Sequence, residues 1–422
     1  MKEGWEVKRL DELFEVKSSK RVHKADWKTE GVPFYRAREV VKLSQNGIVD
    51  NDLFISEELF REFTKEKGAP KEGDIIISAV GTLGQCYLVK KTDRFYFKDA
   101  SVLWFENISN VDVRYIEYAF KSDLIMKQVL NKSMGATVGT LTISRARIIK
   151  IPIPPREEQK QIVVILDKAF TAIDQAKANI DKNRENAKEL FQSKLNAIFS
   201  QKGDGWDEKT LGELGKVSMC KRILKKQTTP DGEIPFYKIG TFGKEPNAFI
   251  SKEIYDEFRS KYSFPKKGDI LLSASGTIGR RVIYNGEPAY FQDSNIVWID
   301  NNEELVTNEY LYQFYGVCDF NPSKGATISR LYNADLRKLQ ISFPSIEEQK
   351  VIIPKMMKLS NQTLQIESNY KQKIEDLEEL KKSMLKKAFA GALTSPNGTK
   401  YAKELRSASE SITNIKSPER VK

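Results

Sequence analysis

The chain has few of the residues that most catalytic and metal sites need. Its 422 residues include one histidine, His23, and three cysteines, Cys86, Cys220 and Cys318, whose spacing matches no zinc-binding pattern. We therefore expect no disulfide framework, no metal site and no cofactor, and scattered thiols are typical of a protein of the reducing cytoplasm. A Ser-His-Asp triad is also disfavoured, because His23 would have to be its base.

Long hydrophobic runs are absent too. No apolar segment approaches the roughly 20 residues that a membrane helix needs, and the opening sequence, MKEGWEVKRL, lacks the apolar core of a signal peptide. The phosphate loop of nucleotide-binding proteins and the Gly-rich turn of dinucleotide-binding folds are also missing, and no amino-methyltransferase or nuclease motif is recognisable. These absences favour a chain that is not itself an enzyme and has no membrane partner.

The charge balance is basic. Lys and Arg outnumber Asp and Glu by 69 to 58, which gives a formal net charge of +11 and a pI near 9.2. Such a balance favours a nucleic-acid partner, although ordinary solubility charge explains it equally well. With 40% hydrophobic residues, the chain is expected to fold into roughly two to four domains.

Two segments, 155–201 and 345–392, have the apolar periodicity of long helices that pack along one stripe against another helix. At 1.5 Å per residue each helix would be about 65–70 Å long, which suits a spacer better than a compact core. Ser345 and Glu348 predict a capping box, and Pro354 predicts a kink or a late helix start. The residues predicted to pair the helices are Ile162, Leu166, Ile173, Ile180, Leu190, Leu359, Ile366, Leu377 and Leu380.

The rest of the chain is also duplicated. The Gly-Trp pair at Gly4 returns at Gly205, and GDIIISAVGTLG from Gly73 returns as GDILLSASGTIG from Gly268. The buried-strand pattern of each copy, followed by a turn and short helical segments, predicts an α+β fold with an internal repeat. We expect two similar globular domains, two long helices and a poorly ordered tail, in the order 1–154, 155–201, 202–344, 345–392 and 393–422.

Polar residues next to the repeated motifs are candidate DNA contacts. Thr82 and Thr277 lie in Gly-Thr-x-Gly turns, where glycine lets the backbone approach a phosphate, but a tight turn that needs positive φ explains the glycines too. Arginine and lysine can bond guanine or phosphate, whereas the alternative is a solvated strand edge. The full set of candidates is Arg36, Arg38, Thr82, Lys98, Thr140, Arg145, Lys238, Thr277, Arg280, Gln292, Lys324 and Arg330.

Several motifs, in order and in two copies, resemble the DNA-specificity subunit of Type I restriction–modification enzymes. They are the Pro-x-x-Glu-Glu-Gln-Lys segments at Pro154–Lys160 and Pro344–Lys350, the Gly-Asp-Ile…Gly-Thr-x-Gly stretch and the ending Leu380–Phe389. The resemblance covers about residues 4–392. The second copy has the acidic Asp335 where the first copy has Arg145, so the two copies differ at this position.

This resemblance implies two target-recognition domains, each of which reads one half of an interrupted sequence in double-stranded DNA. It also implies that the two long helices pair antiparallel, separate the domains and carry methylation subunits, two of them in our reading. Those subunits would supply S-adenosylmethionine and catalysis, and restriction subunits driven by ATP would supply cleavage. Two other hypotheses remain open: a DNA-modifying enzyme with an unrecognised site, and a coiled-coil scaffold without sequence preference.

Overall fold

A computed structural model describes residues 2–130, 139–200, 205–320, 323–324 and 329–394. The chain divides into two compact units, of which the first combines Met1–Asp181 with Lys371–Lys422 and the second is Lys182–Tyr370. Each unit therefore contains one globular part and portions of both long helices. The poorly ordered tail that the composition predicts lies outside the described residues beyond position 394, and the five-segment domain division stays a prediction.

The first unit interleaves short strands with helices. Its strands are β1 (Glu6–Arg9), β2 (Phe14–Lys17), β3 (Val32–Tyr35), β4 (Phe54–Ile55), β5 (Ile75–Ser78), β6 (Cys86–Leu88), β7 (Tyr96–Phe97), β8 (Val102–Asn107) and β9 (Lys150–Ile153). Its helices are α1 (Ala37–Asn46), α2 (Glu57–Lys67), α3 (Val113–Phe120), α4 (Asp123–Leu130), α5 (Ile143–Arg147) and the start of α6 (Arg156–Ser200).

A four-stranded antiparallel sheet, in the order β2-β8-β5-β6, forms the centre of this unit. Its strand β5 is buried along its whole length, as expected for the apolar run after Asp74. A three-stranded sheet, β4-β3-β7, pairs β3 with β7 in parallel, and β1 pairs with β9. The mixture of helices with mainly antiparallel strands is the α+β fold that the sequence predicts.

The second unit repeats this plan. Its strands are β10 (Asp207–Thr210), β11 (Gly215–Ser218), β12 (Ile234–Tyr237), β13 (Phe249–Ile250), β14 (Ile270–Ser273), β15 (Arg281–Ile283), β16 (Tyr290–Phe291), β17 (Ile296–Asn301), β18 (Ser323–Lys324), β19 (Ser329–Arg330) and β20 (Gln340–Phe343). Its helices are α7 (Leu211–Leu214), α8 (Lys252–Lys261), α9 (Asn308–Phe314), α10 (Asn333–Lys338) and the start of α11 (Ile346–Phe389). The sheet orders β11-β17-β14-β15 and β13-β12-β16 match those of the first unit strand for strand.

The two units differ in their connections. Helix α1 fills the β3–β4 connection of the first unit, whereas the shorter β12–β13 connection holds turns. The helical segment after β8 is divided in two, because α3 ends at Phe120 and α4 starts at Asp123. Between them the buried Ser122 donates its hydroxyl to the carbonyl of Ala119 at 2.6 Å, a local bond that competes with helix continuation.

Helices α6 and α11 run over 45 and 44 residues. The Ser345 hydroxyl accepts the backbone N–H of Glu348 at 3.3 Å and caps α11, which is one of the two hydrogen bonds of the predicted capping box. Of the kink or late start expected at Pro354, the late start is wrong, because α11 begins at Ile346 and includes the proline. A kink at this position stays a prediction. The prolyl nitrogen lacks one helical hydrogen bond, but Ile353 and Met356 are buried beside it and favour the helical path.

The predicted pairing seam is buried along most of the first helix. Ile162, Leu166, Ile173 and Ile180 are each at most 4% exposed, as is Leu377 in α11.

Three further members of the predicted seam, Leu359, Ile366 and Leu380, are half-buried. Leu190 is 47% exposed, so its predicted burial in the seam is wrong, and Leu195 is buried instead. An α-helix has 3.6 residues per turn, so a strict repeat of seven drifts off the buried face along a long helix.

Ion pairs show that the two helices run antiparallel. In the first unit Asp174 pairs with Lys381 and Lys177 with Glu378, so residue numbers rise along α6 as they fall along α11. Portions of the same helices meet in the second unit through Lys188 and Glu367 at 3.5 Å. These pairs are partly exposed and contribute little stability themselves, so the buried apolar seam supplies most of it.

A buried glutamine ties the start of α6 to the globular part. Gln159, 4% exposed, accepts the backbone N–H of Asp112 at 2.8 Å and donates to the carbonyl of Pro154 at 2.8 Å. Next to it, Glu158 accepts the indole N–H of Trp5 at 3.1 Å. Two of the motifs that recur in the sequence are thus in direct contact.

Gln349 makes the same connection in the second unit. It is fully buried, accepts the backbone N–H of Thr307 at 2.9 Å and donates to the carbonyls of Leu305 and Pro344 at 2.8 and 2.9 Å. Both amides contact a residue that caps a helix of the globular part: Asp112 caps α3 and Thr307 caps α9. The glutamine in Glu-Glu-Gln-Lys therefore fixes where each long helix leaves its sheet.

We expect Gln349→Leu to lower the free energy of unfolding by about 3 kcal/mol, because three backbone groups lose their partner inside the protein. Gln362→Leu is the matched control, since Gln362 is exposed on the same helix and should change stability by less than about 0.5 kcal/mol. Urea unfolding of the purified chain, followed by circular dichroism, measures both. Equal effects of the two substitutions would contradict the structural role of the buried amide.

Candidate nucleic-acid interface

The Gly-Thr-x-Gly turns have the same internal support in both units. The buried Ser78 donates to the carbonyl of Thr82 at 2.5 Å and accepts the N–H of Gln85 at 3.0 Å. Ser273 makes the matching bonds to Thr277 at 2.5 Å and to Arg280 at 2.9 Å. Each turn is thereby held against the end of a central strand, and the threonines stay exposed at its tip.

The glycines of these turns are required by the backbone. Gly84 and Gly279 have φ of 78° and 79°, and a Cβ at Gly279 would lie 2.5 Å from the ring of Phe320. The turn thus needs positive φ, as the structural explanation of the motif requires. DNA contact by Thr82 and Thr277 stays a prediction, and it is compatible with their exposure.

Arg36 and Arg38 of the first unit face carboxylates of their own domain. Arg36 contacts Glu39 at 3.0 Å and Asp52 at 3.1 Å. Arg38 pairs with both oxygens of Asp52 at 2.7 Å and also with Glu39. These arginines join the start of α1 to the loop before β4, so DNA would have to displace Asp52 to gain a bidentate contact with Arg38.

Glu39 is the buried centre of this network, with 1% of its surface exposed. Burial opposes its ionisation, but hydrogen bonds from Arg36 and Arg38 outweigh that effect and hold the pKa of Glu39 below its usual range. Because the pKa is lowered in the folded state, the network stabilises the fold above the ordinary pKa of glutamate. That contribution is lost as the pH falls through the lowered value.

Arg145, Thr140 and Lys98 are the other candidates of the first unit. The Arg145 guanidinium donates to the carbonyls of Thr140 at 2.6 Å and Val129 at 2.8 Å, so it supports the backbone around Thr140. Lys98 is half-buried after β7, and its backbone N–H donates to the carbonyl of Tyr35 at 2.8 Å.

Three candidates of the second unit lie together. Lys238, Gln292 and Arg330 line one open cleft of about 400 Å³, although they are far apart in the sequence. The other polar residues of this cleft were not predicted from the sequence, although the basic run from Lys221 to Lys226 is a signal for them. Those residues are Arg222, Lys225, Thr228, Asp293, Ser294 and Asn295.

Arg280 and Lys324 are the remaining two candidates. Arg280 donates to the carbonyl of Phe242 at 2.8 Å and so supports the connection after β12. Lys324 belongs to strand β18, but its side chain is outside the described part of the chain.

A strained turn recurs beside the cleft and at the matching place in the first unit. Ser294 and Ala100 have φ of 59° and 57°, a conformation that non-glycine residues rarely adopt. Such strain is common at binding sites. The carbonyl of Ser294 accepts the guanidinium of Arg330 at 2.9 Å, so this turn also positions a candidate contact.

Within the described ranges, no helix is both long and apolar enough to cross a membrane. The same ranges contain no cluster of three or more His, Cys, Asp or Glu residues that could hold a metal ion.

Glu39→Gln should destabilise the purified chain by about 3 kcal/mol at pH 7, because it removes the charge that two arginines share in a buried site. The difference from the unchanged chain should shrink as the pH falls below the ordinary pKa of glutamate and through the lowered pKa of Glu39, where Glu39 itself becomes protonated. Urea unfolding at several pH values measures both effects, and Glu72→Gln, at an exposed position of the same unit, is the control. A pH-independent difference would refute the charge-based explanation.

Comparisons with known proteins agree with this architecture. The profile of the family described as "Type I restriction modification DNA specificity domain" matches residues 2–182 and 203–376. A protein named as type I restriction enzyme specificity subunit S.HindORF215P, from Haemophilus influenzae, is 50% identical over 223 residues, which cover 52% of this chain and 58% of that protein. The chain thus spans little more than half the length of that relative.

Two solved structures share the fold. A chain from "Structural basis underlying complex assembly and conformational transition of the type I R-M system" has a TM-score of 0.73 and 19% identity, with 93% of this chain and 99% of that chain covered. The HsdS subunit from Thermoanaerobacter tengcongensis has a TM-score of 0.55 and 19% identity, with 93% and 98% covered. With two matched segments that take in most of its length, the chain belongs to the family of Type I restriction–modification DNA specificity domains.

Proposed function

We propose that this chain selects the DNA target of a Type I restriction–modification complex, with each globular part reading one half of an interrupted sequence. The observation that carries the proposal is a repeated frame with different polar residues at matching positions. Arg36 and Lys98 of the first unit correspond to Lys238 and Gln292 of the second, next to strands with the same order and pairing. Two copies of one fold with different side chains at the same place suit two different half-sites.

The long helices suit the separation of two half-sites. At 1.5 Å per residue, 45 residues of α6 extend over about 65–70 Å, which is comparable to about two turns of DNA at roughly 34–36 Å each. Helix length would then set the unread spacer. Each long helix is uninterrupted by a loop. An insertion would shift its apolar seam, so the length of the helix is fixed.

The helices also offer surface to partner subunits. Val351, Met357 and Leu364 of α11 are 58%, 48% and 60% exposed, and exposed apolar groups of this size are common at protein interfaces. We propose that methylation subunits, two per complex, dock on the helices and supply S-adenosylmethionine and the catalytic residues. Restriction subunits would join the full complex in the cytoplasm, and this chain would supply no catalytic group.

Methylation mapping of host DNA, with and without this gene and beside intact partner genes, tests the proposal. We expect the gene's loss to remove methylated adenines at a single interrupted motif. The purified chain, given S-adenosylmethionine and DNA, should transfer no methyl group, which separates this function from that of a DNA-modifying enzyme. An unchanged methylation pattern in cells that express the chain and its partners would refute the proposal.

A further inference from the structure

The cleft of the second unit contains a glutamine whose amide orientation is fixed. Oε1 of Gln292 accepts the backbone N–H of Ile239 at 2.9 Å. Because this bond fixes which end of the amide faces Ile239, the NH₂ group is available as a donor to a ligand. Gln292 therefore acts in the cleft as a hydrogen-bond donor.

The two basic side chains of the cleft are donors as well. The ammonium of Lys238 lies 5.9 Å from the ring centroid of Phe236 and has no carboxylate partner in the part of the chain that the structure describes. Arg330 gives one N–H to the carbonyl of Ser294 at 2.9 Å, and this bond leaves its other N–H groups for a ligand. Lysine and arginine carry no acceptor.

Two side-chain acceptors that line the cleft each receive a donor from the protein. Oδ2 of Asp293 accepts the Nε–H of Arg222 at 2.9 Å, and that guanidinium balances the carboxylate charge. The amide oxygen of Asn295 accepts the hydroxyl of Ser275 at 2.8 Å. The cleft therefore offers mostly donors to a ligand, and it selects a ligand that presents several acceptors close together.

We propose that the cleft formed by Lys238, Gln292 and Arg330 reads a guanine of the half-site bound by the second unit, through the O6 and N7 atoms of that base. Guanine is the base that presents two acceptors and no donor within its own major-groove edge. Adenine and cytosine present an amino donor there, and thymine adds a methyl group to its single acceptor. This inference rests on the proposed function, and it names the base class that one domain prefers.

The matching place of the first unit does not share this preference. Arg36 stands where Lys238 stands, but its guanidinium contacts Glu39 and Asp52. Thr140, which stands where Arg330 stands, has a hydroxyl that can donate or accept. The guanine preference should therefore be confined to one half of the target.

The first test maps methylated motifs in hosts that express the complete complex with Lys238→Met or Gln292→Glu. Methionine keeps most of the lysine stem beside Phe236, and glutamate keeps an oxygen for the N–H of Ile239 while it removes the donors. Both variants should accept other bases at one guanine position, with roughly tenfold or greater loss of preference, and leave the other half-site unchanged. Lys244→Met, at an exposed position outside the cleft, should leave the motif intact.

The second test uses the purified complex and DNA with 7-deazaguanine at that position, which removes N7 alone. Binding should weaken severalfold for the unchanged complex and by much less for the Lys238→Met complex, because the two losses concern the same contact. A half-site without guanine, or an unchanged motif in both variants, would overturn the inference. So would equal weakening on all sequences, which identifies a phosphate contact. If the unchanged complex methylates no motif that depends on this chain, the proposed function itself fails.

Discussion

The buried glutamine at the start of each long helix is the contact that holds the helix to the globular part of its own unit. Gln159 joins α6 to Asp112, the capping residue of α3, and Gln349 joins α11 to Thr307, the capping residue of α9. Because an amide can donate and accept at once, one side chain satisfies backbone groups from two elements. The polar cost of burial is thereby offset, and the exit direction of each helix is set by hydrogen bonds rather than by apolar packing alone.

The two units share the residues that support the fold but differ in the polar residues at the neighbouring edge. Ser78 and Ser273 make the same bonds beneath the same turn, and the strand orders agree. At the neighbouring edge, by contrast, the first unit directs Arg36 and Arg38 to its own carboxylates, while the second leaves Lys238 facing a cleft. An exposed contact such as Lys238 can change with little effect on stability, since surface polar groups contribute little to folding. Arg36 and Arg38, by contrast, also hold the buried Glu39.

Much of the fold could be predicted from the sequence, because repetition shows which residues the frame needs. The buried strands, the helix cap at Ser345 and the long helices follow from local patterns. Leu190 could not be placed correctly, since the drift of a helix against a repeat of seven accumulates with length. The ion pair of Arg38 with Asp52 could not be predicted either, because Asp52 lies on a loop whose path depends on tertiary contacts. The cleft residues come from distant segments that no spacing rule connects.

If the two globular parts are exchangeable readers on one repeated frame, one of them can be replaced by a copy of the other. The most direct test replaces residues 205–344 by a second copy of residues 4–154, because the copy of Asp112 would meet Gln349 as Thr307 does. The measurement is the motif methylated by the complete complex that contains this chimera. We expect an interrupted motif built from two copies of the first half-site. A folded, active chimera that still methylates the original motif would show that the two parts are not exchangeable readers.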